Sequence, residues 1–319
     1  MSNLYIVTGA GPVGTTVAEQ LAGQGHRVRI LTRSGSGPDH PLVERRPVDV
    51  SRPDGLDELF AGAAAIFHCI HGSAYSAAAW EAELPGAEQI VLAAAQRAGA
   101  VVVFPESLYS YDRPDQVMTE DGPRLAEGGK RGVRTALLAA RAASATPTVS
   151  VVASDFFGPH VLNAHAGERM VPLVLSGKTV RVLGKPDLPH SFTYVPDLAA
   201  AMIAAAGNRK VWDTVLHAPT LPALTQRGMV QAYARAAGTP APKVGSIPGW
   251  LLRGLGLFSA GMRELAEMTY QFERPFVMSS AQSEELLGLR PTPLDQAAAE
   301  TVGWWRIRLA SRQEAGSAA

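Results

Sequence analysis

A single cysteine, Cys69, occurs in 319 residues, so the chain has no internal disulfide framework and no cysteine pair for a metal. An excess of one charge is missing as well: 29 basic residues stand against 29 acidic ones, and the only basic block is the short Glu44-Arg45-Arg46. That balance gives no electrostatic footprint for nucleic acid. No uninterrupted apolar run approaches the roughly 20 residues that span a bilayer, so no membrane segment is expected. The start lacks a basic region followed by an apolar stretch and cleavage site, and with the lone cysteine this predicts a cytoplasmic, reduced location. Internal repeats are absent, and alanine-rich helices are the only compositional bias. The small, polar run from Ala310 to Ala319 predicts a fraying tail over 311–319.

What is present begins at the amino terminus. The apolar run Leu4-Tyr5-Ile6-Val7 leads into Gly9-Ala10-Gly11-Pro12-Val13-Gly14, and helical spacing follows at Val17, Leu21 and Ala22. In a strand–turn–helix of this form the first glycine permits a tight turn and the second lets the backbone approach a pyrophosphate. The third lets helix pack closely on strand, and the helix start offers unpaired N–H groups to the anion. The pattern predicts dinucleotide binding; a glycine turn with no ligand is the plainer alternative.

The next strand candidate, Arg27 to Thr32, ends in Arg33-Ser34, where an NAD site usually presents an acid to the ribose 2′-hydroxyl. A guanidinium there attracts a 2′-phosphate and a hydroxyl can bond it, so the expected cofactor is NADP. The alternative is that Arg33 is a solvated strand-end residue. Asp49-Val50 precedes a helix expected at Gly55 to Phe60; the acid either bonds an adenine amino group or caps that helix.

Strand candidates at Leu4–Thr8, Val28–Thr32, Ala65–Cys69, Val101–Phe104 and Val149–Ala153 alternate with helices expected at Glu83–Gly99 and Arg131–Ala145. This alternation predicts an α/β fold, a Rossmann doubly wound parallel sheet with a smaller C-terminal substrate domain. The tight alternation ends after residue 155, where prolines become frequent. The expected division is a dinucleotide-binding domain over 1–154, with a return at about 191–217, and a substrate domain over 155–190 and 218–310.

The whole chain resembles the extended short-chain dehydrogenase/reductase superfamily, in its NAD(P)-dependent epimerase and dehydratase branch. The resemblance rests on Thr8 to Gly14, on Asp49-Val50, on Phe104-Pro105-Glu106-Ser107-Leu108-Tyr109-Ser110-Tyr111, on Asp155-Phe156-Phe157-Gly158-Pro159 and on His190 to Ala199. Leu286 to Leu294 supplies the last landmark. The resemblance implies cofactor contacts from Thr8, Gly9, Gly11, Pro12, Val13, Gly14, Arg33, Ser34, Asp49, Val50, Ile70, His71 and Phe156. It also implies catalysis by a Ser/Thr, Tyr and Lys set, with Ser107 at the hydroxyl position by its distance from Tyr111.

The family's Tyr-x-x-x-Lys is replaced. No tyrosine occurs between Tyr111 and Tyr194, and the segment reads Lys130-Arg131-Gly132-Val133-Arg134. Lys130 therefore stands at the acid/base position and Arg134 at the ribose position. A lysine can act as an acid if desolvation and neighbouring cations bring its pKa toward neutrality; otherwise Lys130 is an exposed residue at a helix start. A further departure is Ala153, where many relatives carry arginine.

Other residues carry weaker expectations. Cys69-Ile70-His71-Gly72 is expected to line the cofactor, with His71 a wall residue or a proton relay and Cys69 a buried small side chain. Glu106 is a second acid/base candidate, and Tyr109 either substitutes for the missing phenol or packs under the substrate. His160 and His190 are expected to flank the substrate cleft, Trp304-Trp305 to be core, and Trp250 to Phe258 to form a lid or wall of the substrate domain. An apolar wall and the lack of a basic cluster for a diphosphate suit an uncharged organic substrate better than a sugar nucleotide. The leading expectation is an NADP-dependent oxidoreductase acting on a small to medium organic molecule through Ser107 and Lys130. The alternative is a redox-silent relative serving as cofactor sensor or isomerase/cyclase scaffold. Apolar-faced helices with Ala94, Ala95, Ala136 and Ala140 predict a homodimer.

Overall fold

Six successive strands and one that returns from later in the chain supply one parallel sheet, in the order β10-β6-β5-β4-β1-β2-β3. These strands are β1 (Leu4–Thr8), β2 (Arg27–Thr32), β3 (Val43–Pro47), β4 (Ala63–His68), β5 (Val101–Ser107), β6 (Thr148–Ala153) and β10 (Thr214–His217), in a computed structural model that describes residues 2–317. The central strands are buried on both faces, as their valine-rich runs require. The strand order reverses between β1 and β4, and the crevice beyond the carboxyl ends of these two strands is where open α/β sheets bind ligands.

The helices α1 (Pro12–Gly23), α2 (Leu56–Phe60), α3 (Ala77–Ala98) and α4 (Gly129–Ala142) connect successive strands. Val13, Val17 and Leu21 of α1 bury one face against the sheet and against α6 (Val195–Gly207), which returns to this layer. Gln20 Nε2 of α1 donates to the Pro196 carbonyl at 2.9 Å.

Three elements differ from the sequence reading. β3 carries Glu44, Arg45 and Arg46 in place of an apolar run: it is an edge strand, and its charges are paired or solvated, with Glu44 held between Arg29 and Arg46. The basic block is thus a strand edge. α3 starts six residues before Glu83, because Pro85 lies inside the helix, where a proline ordinarily reads as a first turn. α4 buries Lys130, Arg134, Leu137, Leu138 and Arg141, while Ala136 faces out. Its buried stripe is mostly charged. Ala94 and Ala95 pack inward against Ile6 and Val102 and are not on the outer face.

The remaining chain forms a second core. Two short parallel pairs, β7 (Asp155–Phe157) with β9 (Phe192–Tyr194) and β8 (Val180–Leu183) with β11 (Val244–Ile247), surround α5 (Val171–Leu175) and α7 (Gln226–Ala237). With α12 (Leu294–Ser317) they enclose Phe157, Met170, Val182, Tyr233 and Trp305. Trp305 is fully buried and Trp304 is packed beside it. α12 continues through the segment expected to fray as far as Ser317; Ala318 and Ala319 lie outside the described residues. Between β11 and α12 come α8 (Gly249–Leu255), α9 (Ala260–Glu267), α10 (Tyr270–Glu273) and α11 (Ala281–Leu287). The α8–α9 hairpin turns Trp250, Leu257 and Phe258 to solvent, the last 91% exposed, while Leu252 packs on Leu183 and Phe272.

Candidate active site

At the carboxyl end of β1, the three glycines divide their work as their spacing requires. Gly9 has φ +90°, and a Cβ on it would lie 2.8 Å from the Cys69 carbonyl oxygen; a Cβ on Gly14 would lie 2.1 Å from the Gly9 carbonyl oxygen. Neither position accepts a side chain. Around Gly11, by contrast, a Cβ would meet nothing within 4 Å. This middle glycine opens onto free space beside the start of α1, whose N-cap carries no side-chain hydrogen bond and whose first turn has no acid. Thr8 is buried and its Oγ1 lies 2.9 Å from His68 Nδ1, an imidazole that burial pushes down to about 4. Pro12 and Val13 form the first turn of the helix.

On the adenine side, Arg33 is exposed and makes no hydrogen bond or ion pair among the described residues. Ser34 Oγ donates to Ser36 at 2.9 Å. Asp49 accepts from Ser51 N and Oγ, bonds that hold its carboxyl below the usual range, while Val50 is buried in the core. No acid lies at the end of β2; the Arg33 charge acts on Asp49, just beyond β3, and on Glu83 of α3. Ile70 packs on the core, and His71 lies at the surface, where partial desolvation and the Arg134 charge pull its imidazole down. Cys69 is partly buried, its thiol pushed up by burial. Phe156 is partly buried against the main core.

At the end of β5, Ser107 Oγ donates to Glu106 Oε1 at 3.2 Å, and Ser107 N donates to the same oxygen at 2.7 Å. Glu106 is buried between two guanidiniums: Arg141 donates to its Oε2 at 2.9 Å and Arg134 approaches Oε1 at 3.6 Å. Burial alone would raise this carboxyl, and Arg134 and Arg141 hold it below the usual range. Glu106 is therefore an ionised anchor for the residues around it. Arg141 also grips Glu88 of α3 through two bonds and lies 4.0 Å from the Phe104 ring centroid. Arg134 lies 4.6 Å from the Trp80 ring centroid and leaves Nε buried without a hydrogen bond among the described residues.

Lys130 is completely buried. Its ammonium donates to Glu264 Oε2 and Glu267 Oε2, each at 2.5 Å, and to the Glu264 carbonyl at 3.1 Å, all on α9. An ammonium has three N–H donors, and all three are taken. The Lys130 backbone N–H adds a bond to Glu267 Oε1, and the Tyr75 ring lies 4.9 Å from Nζ. Lys130 thus fastens α9 over the site. Two phenols meet there, Tyr75 and Tyr109 with hydroxyls 2.8 Å apart, and Tyr109 stacks on Trp80.

The expected histidines separate. His190 is buried and bonds Asp155, the first residue of β7, at 2.7 Å; His160 instead approaches Glu19 of α1 and packs on Trp304. Sequence reasoning missed Glu88, Arg141, Glu264, Glu267 and Tyr75. For Arg141 a signal existed: Lys130, Arg134 and Arg141 fall on one helical face together with Leu137 and Leu138, which marks cations headed for burial. Glu264 and Glu267 lie one turn apart on α9, with nothing local to announce a partner 134 residues away.

A family profile, NAD dependent epimerase/dehydratase, matches residues 5–214. No curated protein sequence matches the chain. Among solved structures, the enzyme WbmH of Bordetella bronchiseptica in complex with NAD+ superposes with a TM-score of 0.75 at 17% identity, over 96% of this chain and 99% of that one. UDP-glucose 4-epimerase of Thermotoga maritima with UDP-glucose gives 0.75 at 16% identity, over 96% and 99%. Epimerase Mth375 of Methanothermobacter thermautotrophicus gives 0.78 at 17% identity, over 98% and 95%. At these identities the likeness is one of fold.

Proposed function

Because the chain belongs to the NAD dependent epimerase/dehydratase family, we propose that it is an NADP-binding oxidoreductase or epimerase-like enzyme acting on a small to medium, uncharged organic substrate. The observation that carries the cofactor reading is the unobstructed face of Gly11 beside the uncapped start of α1, between two glycines that accept no side chain. Peptide N–H groups there suit a pyrophosphate. Arg33, free of ion pairs among the described residues, and Ser34 are the groups for a 2′-phosphate, and Asp49 is the group for the adenine. Arg134, with a spare buried Nε, stands on the ribose side. When bound, the dinucleotide supplies reversible exchange of two electrons with a carbinol or carbonyl carbon.

The chain's own residues provide the rest. Glu106 takes the Ser107 O–H, which leaves the Ser107 oxygen to accept from a substrate hydroxyl. Lys130 is the cation of the site and the counter-charge of Glu264 and Glu267. Tyr75, Tyr109 and Trp80 give walls suited to an apolar substrate. One observation favours the second reading, a redox-silent relative: the residue at the acid position has no N–H left to give. The proposed assembly is a homodimer through α3 and α4, whose outer faces present the exposed small residues Ala82, Gly86, Ala93, Ala136 and Ala139.

Calorimetric titration with NADPH and NADH tests the cofactor reading. NADPH binds at least about tenfold more tightly, a difference of ~1.4 kcal/mol, and Arg33→Ala abolishes the preference. Equal affinities in the wild type, or an undiminished preference in the variant, would defeat it.

A further inference from the structure

The register that pairs β7 with β9 sets Asp155 opposite Phe192, two residues beyond His190, and so brings an acid and a histidine together. His190 is 2% exposed, stacked on Phe272 with ring centroids 4.9 Å apart and planes 9° from parallel, and flanked by Phe192 and Phe276. Its Nε2 lies 2.7 Å from Asp155 Oδ2, and its Nδ1 lies 3.2 Å from the Gln271 carbonyl oxygen.

A carbonyl oxygen accepts only, and so does an ionised carboxylate. A neutral imidazole carries a single N–H and satisfies one of these two acceptors. Bonding both requires one further proton, on the ring or on the carboxyl. The pair is thus built to hold a proton that a lone neutral histidine does not carry. Burial by itself would raise the Asp155 carboxyl, but the hydrogen bond and charge of His190 hold it below the usual range.

Only one end of the pair reaches outward. The Asp155 side chain is 22% exposed, and its Oδ1 makes no hydrogen bond among the described residues. The groups whose ionisation its charge opposes are the phenols of Tyr75, Tyr109 and Tyr270, which burial already pushes up. The other titratable groups on this wall are His165, an imidazole that burial pushes down to about 4, and Glu267, which is tied to Lys130.

Resting on the oxidoreductase reading above, we infer that Asp155 is the residue that exchanges a proton with the substrate oxygen, and that His190 is its positioning partner. In the oxidative direction the substrate O–H bond breaks and an Asp155 Oδ1–H bond forms. The O–H electron pair becomes the second C–O bond as the carbinol C–H bond breaks and its hydrogen leaves with both bonding electrons to the oxidised nicotinamide dinucleotide, and His190 keeps its proton. The positive charge lost by the dinucleotide reappears on the pair. In reverse, Asp155 Oδ1 returns that proton to the carbonyl oxygen, and because the carboxyl is held low it carries the proton only toward acid pH, so reduction quickens as pH falls. The assignment also removes a difficulty, since all three N–H groups of Lys130 are taken by α9.

The test has two arms, both on the full chain. Nitrogen-15 spectra of histidine-labelled protein at about pH 7.5 read the pair without any substrate, and His190 should show protons on both ring nitrogens, one of them lost in Asp155→Asn. A singly protonated His190 overturns the pair. In the second arm, NADPH oxidation is followed with 4-nitrobenzaldehyde and menadione as carbonyl probes. Asp155→Asn, which keeps an oxygen for the His190 hydrogen bond and hence the fold, should lose about a hundredfold in rate while NADPH affinity is unchanged. His190→Asn should retain part of the activity and move the pH limb of reduction upward by about a unit, because removing the cation lets the carboxyl hold its proton to higher pH. An active Asp155→Asn, or an unmoved limb, overturns the assignment and leaves the oxidoreductase reading standing. If the wild type reduces neither probe, that reading fails and the assignment falls with it.

Discussion

Replacing Arg141 by methionine removes a guanidinium that donates twice to Glu88 and once each to Glu106 and Ser150, in a site that water does not reach. Methionine fills comparable volume against Phe104, so the packing loss is small. The cost lies in the carboxylates left behind. Glu106 keeps Arg134 at 3.6 Å, but Glu88 keeps no partner among the described residues. Breaking a buried pair from one side costs about 3–5 kcal/mol. At roughly 2 °C per kcal/mol for a chain of this size, the melting temperature at about pH 7.5 should fall by about 6–10 °C. The sign with pH follows from Glu106, whose carboxyl is held below its unfolded value: its contribution is present above the unfolded pKa and is lost as pH falls through the folded one. Scanning calorimetry at about pH 7.5 and about pH 4, the latter below the unfolded glutamate value of about 4.3, should show the gap narrowing at the lower pH. A loss under about 2 °C, or a gap that does not change with pH, would refute the role given to this ion network.

Two further outcomes are expected. Lys130→Met leaves Glu264 and Glu267 facing an apolar chain, so limited proteolysis between α8 and α9 should proceed about tenfold faster while nucleotide affinity stays within about threefold; equal cleavage rates would mean that the two ion pairs do not hold α9. Light scattering at micromolar concentration should give the mass of two chains, and a monomeric mass that persists with NADPH bound would remove the homodimer.

Much of the first half was legible in the sequence because its signals are local. The glycine turn, the apolar strands and the helix faces of α1 and α3 each declare themselves within a few residues, and the sheet follows from their alternation. β3 was not, because an edge strand with solvated charges has no apolar signature. For the candidate site, Ser107, Lys130 and Arg134 could be placed by motif, but what each touches could not. The partners of Lys130 come from α9, and those of Arg141 from α3 and β5, at separations where spacing carries no information. Asp155 and His190 stood in separate motifs, and only the β7–β9 register joins them.

The cationic stripe of α4 has a consequence for how the molecule assembles. A helix docked by leucines alone can roll in its seat at modest cost, since one apolar side chain substitutes for another. α4 cannot. Slipping it by one residue turns it by about 100° and carries Arg141 away from Glu88 and Glu106, Arg134 off Trp80, and Lys130 away from α9, stranding charges of both signs in the interior. Its seat is keyed at three heights, to α3, to β5 and to an element more than a hundred residues further along the chain. The helix therefore reports, through a single rotation, whether the two halves of the protein have come together correctly.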